Sequence, residues 1–294
     1  MKVLAPAKIN IYLEVLGKRP DGYHELRTIM VPLAFGDDVF IETSRSGIAL
    51  NAQGCGCSEQ DNLAFRAARL FLDSTSISGG ASIEIVKRIP VGAGLGGGSS
   101  DAAGVLLAMN ELFNTGLNED QLVALARELG ADCPFFIYRK AMLMGSRGDV
   151  PLQRVNLKDR AYLLVIPPFG ISTAEVFSRF TFPLTPDEDR IKIDTVNNDC
   201  IAPEQWVAND LEAVAFGIHP ELTGIKVELF RAGALKAGMS GSGSAVFGIF
   251  ESDAHLCNAM SRLTRHEGYS YIPTTRLTGD RYGDYRGQGF SGQG

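Results

Sequence analysis

The chain has 294 residues, 45% of them hydrophobic and 21% charged, which is enough apolar material for one large or two ordinary domains and too much for a disordered or collagen-like polypeptide. A formal net charge of −6 excludes the basic footprint of a nucleic-acid-binding protein, although a local cleft can still attract an anion against the global sign. No apolar run approaches the roughly 18 residues of a membrane helix, and Lys8 and Asn10 interrupt the beginning too early for a signal peptide, so a cytoplasmic protein with no membrane partner is expected.

Residues 3–15 alternate strictly, with Val3, Ala5, Ala7, Ile9, Ile11, Leu13 and Val15 on one face of an expected strand. The other face carries Lys8, Asn10, Tyr12 and Glu14, a pattern that usually marks a solvated side; Lys8 and Asn10 then point the same way, about 7 Å apart. Arg19-Pro20-Asp21-Gly22 has turn chemistry and is followed at once by Tyr23 and His24. Cys55-Gly56-Cys57 is the one close pair among five cysteines, the others being Cys133, Cys200 and Cys257. An odd, sparse set disfavours a disulfide framework, and without a second pair at ligand spacing the reading is a small loop with two incidental thiols.

A helix is expected from Asp61, its cap, to Asp73, and a strand from Ile83 to Ile89. Next comes Pro90-Val91-Gly92-Ala93-Gly94-Leu95-Gly96-Gly97-Gly98-Ser99-Ser100-Asp101, then a helical stripe over Ala102 to Phe113. Glu119 to Leu129 reads as another helix with Asn118 and Gln121 as a capping box, ended by Gly130 and kept ended by Pro134. Asp132 falls in the exit from that helix, where an Asp most often bonds its own backbone. After a boundary near residue 157 the pattern restarts with a buried strand, Tyr162 to Ile166. A second glycine loop over 238–244 leads into a strand from Ala245 to Phe250. Thr185 to Asp199 reads as an exposed charged connection, and residues 279–294, with six glycines and almost no aliphatic side chains, as a tail unable to pack.

Five glycines between positions 92 and 98 at the entry to a helix free successive backbone N–H groups to face one anion, and Ser99 and Ser100 add hydroxyls. A tight strand-to-helix turn needs only one or two. Gly98 is followed by Ser99 where a Walker loop requires Lys, so that family is excluded. Gly92 to Gly97 does satisfy the dinucleotide fingerprint, with Glu111 nineteen residues on, but Glu111 falls inside the helical stripe and not at the end of a second strand.

The segment Pro90 to Ala102 resembles the phosphate loop of the small-molecule kinase superfamily that contains galactokinase, homoserine kinase and mevalonate kinase. Ala5-Pro6-Ala7-Lys8-Ile9-Asn10, the Arg19 to His24 turn, Gly130-Ala131-Asp132-Cys133-Pro134-Phe135-Phe136 and the Gly238 to Gly243 loop resemble, in the same order, the branch that uses ATP to phosphorylate the 2-hydroxyl of a cytidine-diphosphate-linked methylerythritol in the non-mevalonate route to isoprenoid precursors. The resemblance implies a two-domain α+β kinase fold. Residues 1–157 would form a ribosomal-protein-S5-domain-2-like ATP-binding domain and 158–278 a ferredoxin-like substrate domain, with 279–294 a flexible tail.

It also implies roles. Lys8 and Asp132 would converge on the reacting hydroxyl, and residues 90–100 (Pro90, Val91, Gly92, Ala93, Gly94, Leu95, Gly96, Gly97, Gly98, Ser99, Ser100) would hold ATP. Asn10, Tyr23, His24, Thr173, Phe177, Gly241, Ser242 and Gly243 would bind the substrate, with Phe177 on the wall opposite Tyr23 and His24. Phosphoryl transfer implies Mg²⁺, but no acidic pair identifies its ligands; Ser100 and Asp101 are the nearest candidates. The assembly is left between a monomer and a weak homodimer. A related kinase for homoserine or mevalonate, a nicotinamide-dependent oxidoreductase and a binding protein that has lost catalysis are the alternatives.

Overall fold

The computed structural model describes residues 1–182 and 200–278, so the connection expected over 185–199 lies wholly outside the described residues, as does the tail 279–294. Strand β1 (Lys2–Lys18) pairs with β2 (His24–Ser44) in a long antiparallel hairpin closed by the Arg19–Gly22 turn, where the Gly22 N–H reaches the Arg19 carbonyl and Gly22 takes φ +87°. The alternation of β1 is real, but both of its faces are buried. Val3 and Ala5, then Ile9 and Ile11, then Leu13 and Val15 enter three successive core clusters, while Lys8, Asn10, Tyr12 and Glu14 are covered as well. A solvated polar face is therefore the wrong default here. The ladder also shifts register on either side of Lys8–Asn10, as strands often do beside a functional site.

The first sheet runs β3 (Gly47–Asn51), β4 (Gly80–Val86), β2, β1, β8 (Ala208–Asn209), with β5 (Met142–Gly145) and β6 (Val150–Arg154) attached through β2. Helices α1 (Leu63–Thr75), α2 (Gly97–Leu112), α3 (Glu119–Leu129) and α4 (Cys133–Tyr138) bury the first core cluster against it. The second sheet is antiparallel, in the order β11 (Ser270–Thr275), β7 (Ala161–Ile166), β10 (Val246–Phe250), β9 (Lys236–Met239). Helices α7 (Glu221–Arg231) and α8 (Asp253–Arg262) pack on it, and α5 (Thr173–Arg179) and α6 (Glu212–Ile218) complete the described helices. This is the α+β architecture expected. Strand β8 ties the sheets together: it pairs in parallel with β1 at Tyr12 and Leu13, and Asp210 accepts from the Val15 N–H at 2.8 Å. Among the described residues no helix is long and apolar enough to cross a membrane.

Among the element boundaries that differ from expectation, three bear on the site or its supports. The cap of α1 is Asn62, whose side chain accepts from the Ala64 N–H, because Asp61 is held by the Ser58 hydroxyl. Strand β4 stops at Val86, short of Ile89, because Asp37 on β2 captures the N–H groups of Arg88 and Ile89 and bends the chain away from the ladder. Helix α2 begins at Gly97, within the glycine loop, so Ser99, Ser100 and Asp101 lie on its first turns. The capping box of α3 forms with both of its hydrogen bonds. Pro134, however, does more than keep α3 ended: it opens the short helix α4.

Candidate active site

The polar face of β1 is a relay of fixed hydrogen bonds. The Thr28 hydroxyl donates to the Tyr12 carbonyl at 2.6 Å and so must accept from the Asn10 amide nitrogen at 2.8 Å. That fixes the Asn10 side chain with its oxygen toward Lys8, whose Nζ donates to it at 2.5 Å. Burial lowers the Lys8 pKa from the ordinary lysine value, while the charge of Asp132 works to raise it.

Asp132 arrives from the opposite side, in the residue before α4, and its carboxylate makes no capping bond to that helix. It faces Lys8 instead, Oδ2 to Nζ at 3.8 Å, with the Asp132 side chain 33% exposed and that of Lys8 5%. The ordinary fate of an Asp in such a turn does not apply. Two groups 3.8 Å apart leave room for a hydroxyl oxygen about 2.8 Å from each.

The glycine loop lies alongside. Gly92, Gly94 and Gly96 have φ of +74°, +74° and +73°, whereas Ala93 and Leu95 between them do not enter that region. Alternating handedness of this kind turns successive N–H groups to one side, forming an anion nest. The carbonyls of Gly92, Ala93, Gly94 and Leu95 are taken by Ile171 N–H, Ala245 N–H, the Ser240 hydroxyl and Lys8 N–H. Among the described residues no N–H of 91–99 donates within the protein, so the donors remain available on the loop's other side.

Packing explains more of the glycines than the sequence indicates. A Cβ on Gly94 would lie 2.3 Å from the Ser240 carbonyl oxygen, and one on Gly96 would lie 2.8 Å from the Phe136 ring. Gly98 alone has neither a positive φ nor a close neighbour, its nearest being Leu63 at 3.8 Å.

The second glycine loop closes over the pair. A Cβ on Gly241 would meet Lys8 Nζ at 3.3 Å and Asn10 Oδ1 at 3.4 Å. Asn209, on β8, donates to the Met239 and Gly241 carbonyls at 2.9 and 2.8 Å and so clamps the loop to the sheet that carries Lys8. Ser242 and Thr173 share a hydroxyl contact of 2.8 Å, and Gly243 packs against Met239 and Ile171.

The aromatic residues gather at the hairpin tip. Tyr23 is 56% exposed, with the Arg147 guanidinium 4.8 Å from its ring centroid. His24 lies flat on Phe177, centroids 4.8 Å apart and 25° between planes, so the two expected walls of a base site touch each other. Burial, with the nearby Lys18 charge, lowers the His24 pKa and favours the neutral ring. Phe180 and Phe182 extend the cluster, at 6.5 and 6.4 Å from His24.

Sequence reading missed a buried ionic cluster under the loop. Lys87 Nζ bonds Asp37 at 2.5 Å and Asp101 at 2.8 Å. Two carboxylates compete there for one ammonium in a dry place, and burial pushes the Asp101 carboxyl up to about 7. The one available signal was the charged pair Asp37-Asp38 amid the apolar run of β2. Asn209 and Thr28 gave none. Ser100 Oγ and Asp101 Oδ1 are buried without partners, yet Lys87 holds the other Asp101 oxygen, and a hydrated Mg²⁺ bridging phosphates needs accessible oxygen ligands. These two residues therefore do not fit that ion. No cluster of three metal-ligating side chains exists among the described residues. Glu111 is in α2, as its position in the helical stripe required, and cannot end a second strand of a dinucleotide fold.

Comparison with known proteins agrees in sequence and in fold. Residues 62–140 match the GHMP kinases N terminal domain and residues 196–268 the GHMP kinases C terminal family. A 4-diphosphocytidyl-2-C-methyl-D-erythritol kinase of Citrifermentans bemidjiense is 41% identical over 92% of this chain and 96% of its own. One of Bacillus cereus is 37% identical over 96% and 99%. The crystal structure of a 4-(cytidine 5'-diphospho)-2C-methyl-D-erythritol kinase superposes with a TM-score of 0.75 at 34% identity, covering 95% of this chain and all of that one. A homoserine kinase of Cytophaga hutchinsonii shares the fold at a TM-score of 0.68 and 18% identity, covering 94% of each chain.

Proposed function

The chain belongs to the GHMP kinases, and among them to the 4-diphosphocytidyl-2-C-methyl-D-erythritol kinases, and from that premise we propose that Lys8, Asp132 and the 92–98 loop carry its phosphoryl transfer. It is an ATP-dependent kinase that phosphorylates cytidine-diphosphate-linked methylerythritol in the non-mevalonate isoprenoid pathway. The acceptor is the tertiary 2-hydroxyl. Its oxygen sits at the open vertex beside Lys8 Nζ and Asp132 Oδ2, and the 3.8 Å separation of these two atoms is the observation that carries the assignment.

Phosphoryl transfer through a loose transition state asks for position and charge neutralisation more than for covalent help. Lys8, held by Asn10, orients the hydroxyl and offsets charge developing on the transferring group. Asp132 takes the proton as the new P–O bond forms. The inward N–H groups of the loop, with the N-terminus of α2 and the Ser99 hydroxyl, cradle the triphosphate. Residues 240–243 close over the reacting centre through the Gly241–Lys8 approach. Mg²⁺ would supply further charge neutralisation if bound, and among the described residues no cluster of side chains stands ready to hold it.

At the hairpin tip the cytosine stacks on the free face of Tyr23 and takes the face of Phe177 that His24 now covers. The displaced imidazole, in its neutral form, then both donates and accepts at the base edge. Tyr23, His24 and Phe177 are what separate this reading from a kinase for homoserine or mevalonate, neither of which carries a base. The test is ADP formation with each acceptor. Turnover with the cytidylylated alcohol and none with homoserine or mevalonate is expected; preference for either simple alcohol would overturn the reading.

A further inference from the structure

The loop between β3 and α1 holds two thiols that look incidental in the sequence, and its geometry assigns them more. Cys55 Sγ and Cys57 Sγ lie 3.6 Å apart, and the Cys55 thiol also points at the Cys57 carbonyl at 3.6 Å. Gly54 and Gly56, with φ of +79° and +69°, wind the chain so that both side chains emerge together. Cys57 is exposed and Cys55 half-exposed, so both can be reached from solvent.

Cys133 is the contrast: it is buried, and burial pushes its thiol up to about 12. Backbone and side-chain hydrogen bonds from Cys57 lower the Cys55 pKa, which favours its thiolate, whereas burial and the neighbouring Cys55 and Asp61 raise that of Cys57. One nucleophile with a protonated partner in reach is the arrangement of a resolving dithiol.

The pair is also connected. Ser58, next to Cys57, accepts from the Asn62 N–H at 3.1 Å, and Asn62 caps α1 by accepting from Ala64 N–H at 2.9 Å. The next residue, Leu63, is the nearest neighbour of Gly98 on the first turn of α2. Two thiols, one cap and one packed side chain thus lead to the loop proposed to hold the nucleotide.

We propose that Cys55 and Cys57 are a reversible oxidation site that reacts with small-molecule disulfides and, once bridged, weakens nucleotide binding. The Cys55 thiolate attacks one sulfur of the disulfide, forming a mixed disulfide and releasing one thiolate. Cys57 then loses its proton to solvent, attacks Cys55 Sγ and releases the second. Two cysteines are oxidised, one disulfide is reduced to two thiols, and a dithiol reverses the exchange. Bridging draws Cys57 toward Cys55, pulls on the Ser58 carbonyl that holds the Asn62 N–H, and so disturbs the cap that positions Leu63. The consequence for ATP rests on the loop assignment above; the bridge itself does not.

The experiment is equilibration of the full chain with oxidised and reduced glutathione, followed by peptide mass mapping, binding of a non-hydrolysable ATP analogue and kinase kinetics. The fragment containing both cysteines should become lighter by two hydrogens. The dissociation constant of the analogue should rise roughly 2- to 30-fold, the range of coupling through packed residues. A dithiol should restore it, and Cys55→Ser/Cys57→Ser should not respond. Cys200 and Cys257, both exposed, serve as internal controls that take up glutathione without bridging. Stable glutathione adducts on Cys55 or Cys57 in place of the bridge would overturn the proposal, as would a bridge that leaves nucleotide affinity unchanged. A reduced protein that binds the analogue but does not phosphorylate the cytidylylated alcohol would instead count against the functional assignment, so the two failures are distinct.

Discussion

The proposed reacting centre and the proposed base-recognition corner are built in opposite ways. Around Lys8 every polar contact is tied down: Asn10 is oriented by Thr28, the first glycine loop is fastened by four carbonyls, and the second is clamped by Asn209. At the hairpin tip, Tyr23 is largely exposed and His24, Phe177, Phe180 and Phe182 rest on one another, with no buried polar network among the described residues. The contrast suits what each is proposed to do. Charge stabilisation is strongest when dipoles are preorganised and dry, whereas a stacked base needs only a flat face and can be met by rings that rearrange.

The comparison breaks most visibly at Asp132. Asp132→Asn keeps the shape and removes the proposed proton acceptor, so kcat should fall roughly 10²- to 10⁴-fold with the KM for both substrates little changed; steady-state kinetics on the folded variant will show it. Gly94→Ala tests the rigidity of the centre. Its Cβ would enter the Ser240 carbonyl at a residue with φ +74°, and a loss of about 3 kcal/mol or more in denaturant unfolding is expected. Gly98→Ala is the sharpening control, because the open space there makes it neutral or up to about 1 kcal/mol stabilising within the helix. If the loop holds ATP, the added methyl should nonetheless raise the KM for ATP.

At the aromatic corner the effects are smaller and confined to one substrate. Tyr23→Ala or Phe177→Ala should cost about 1 to 3 kcal/mol in binding of the cytidylylated alcohol, read as its KM, while the KM for ATP stays put. A different effect, on stability and not on binding, concerns the buried cluster under the loop. The folded-state pKa of Asp101 is raised, to about 7, so its contribution to stability is fully present below the unfolded value and lost as pH rises through that point. Asn cannot ionise. The Tm of the native protein should therefore decline relative to Asp101→Asn between about pH 5 and 8, and parallel Tm profiles would rule this out.

Much of this molecule is legible in its sequence where the information is local. The alternation of β1, the positive-φ turn at Gly22 and the Asn118 capping box are set by neighbours a few residues apart. The nest at Gly92, Gly94 and Gly96 was visible as an excess of glycine, although half of its reason, the Ser240 carbonyl and the Phe136 ring, lies far along the chain. What was hidden is long-range by nature. Asp37 ends β4 and pairs with Lys87 from 50 residues away, Asn209 reaches the second loop from β8, and both faces of β1 are covered by elements that no periodicity announces. Asp132 could be placed in a helix exit from sequence, but that its carboxylate turns from that helix toward Lys8 could be seen only once the chain was folded.

The central claim is most directly tested by a crystal structure of the complex with the cytidylylated alcohol and a non-hydrolysable ATP analogue. The account predicts the 2-hydroxyl oxygen within hydrogen-bond distance of both Lys8 Nζ and Asp132 Oδ2, with the γ-phosphate against the 92–98 amides. A hydroxyl bound away from that pair, with the phosphates still in the glycine loop, would contradict it.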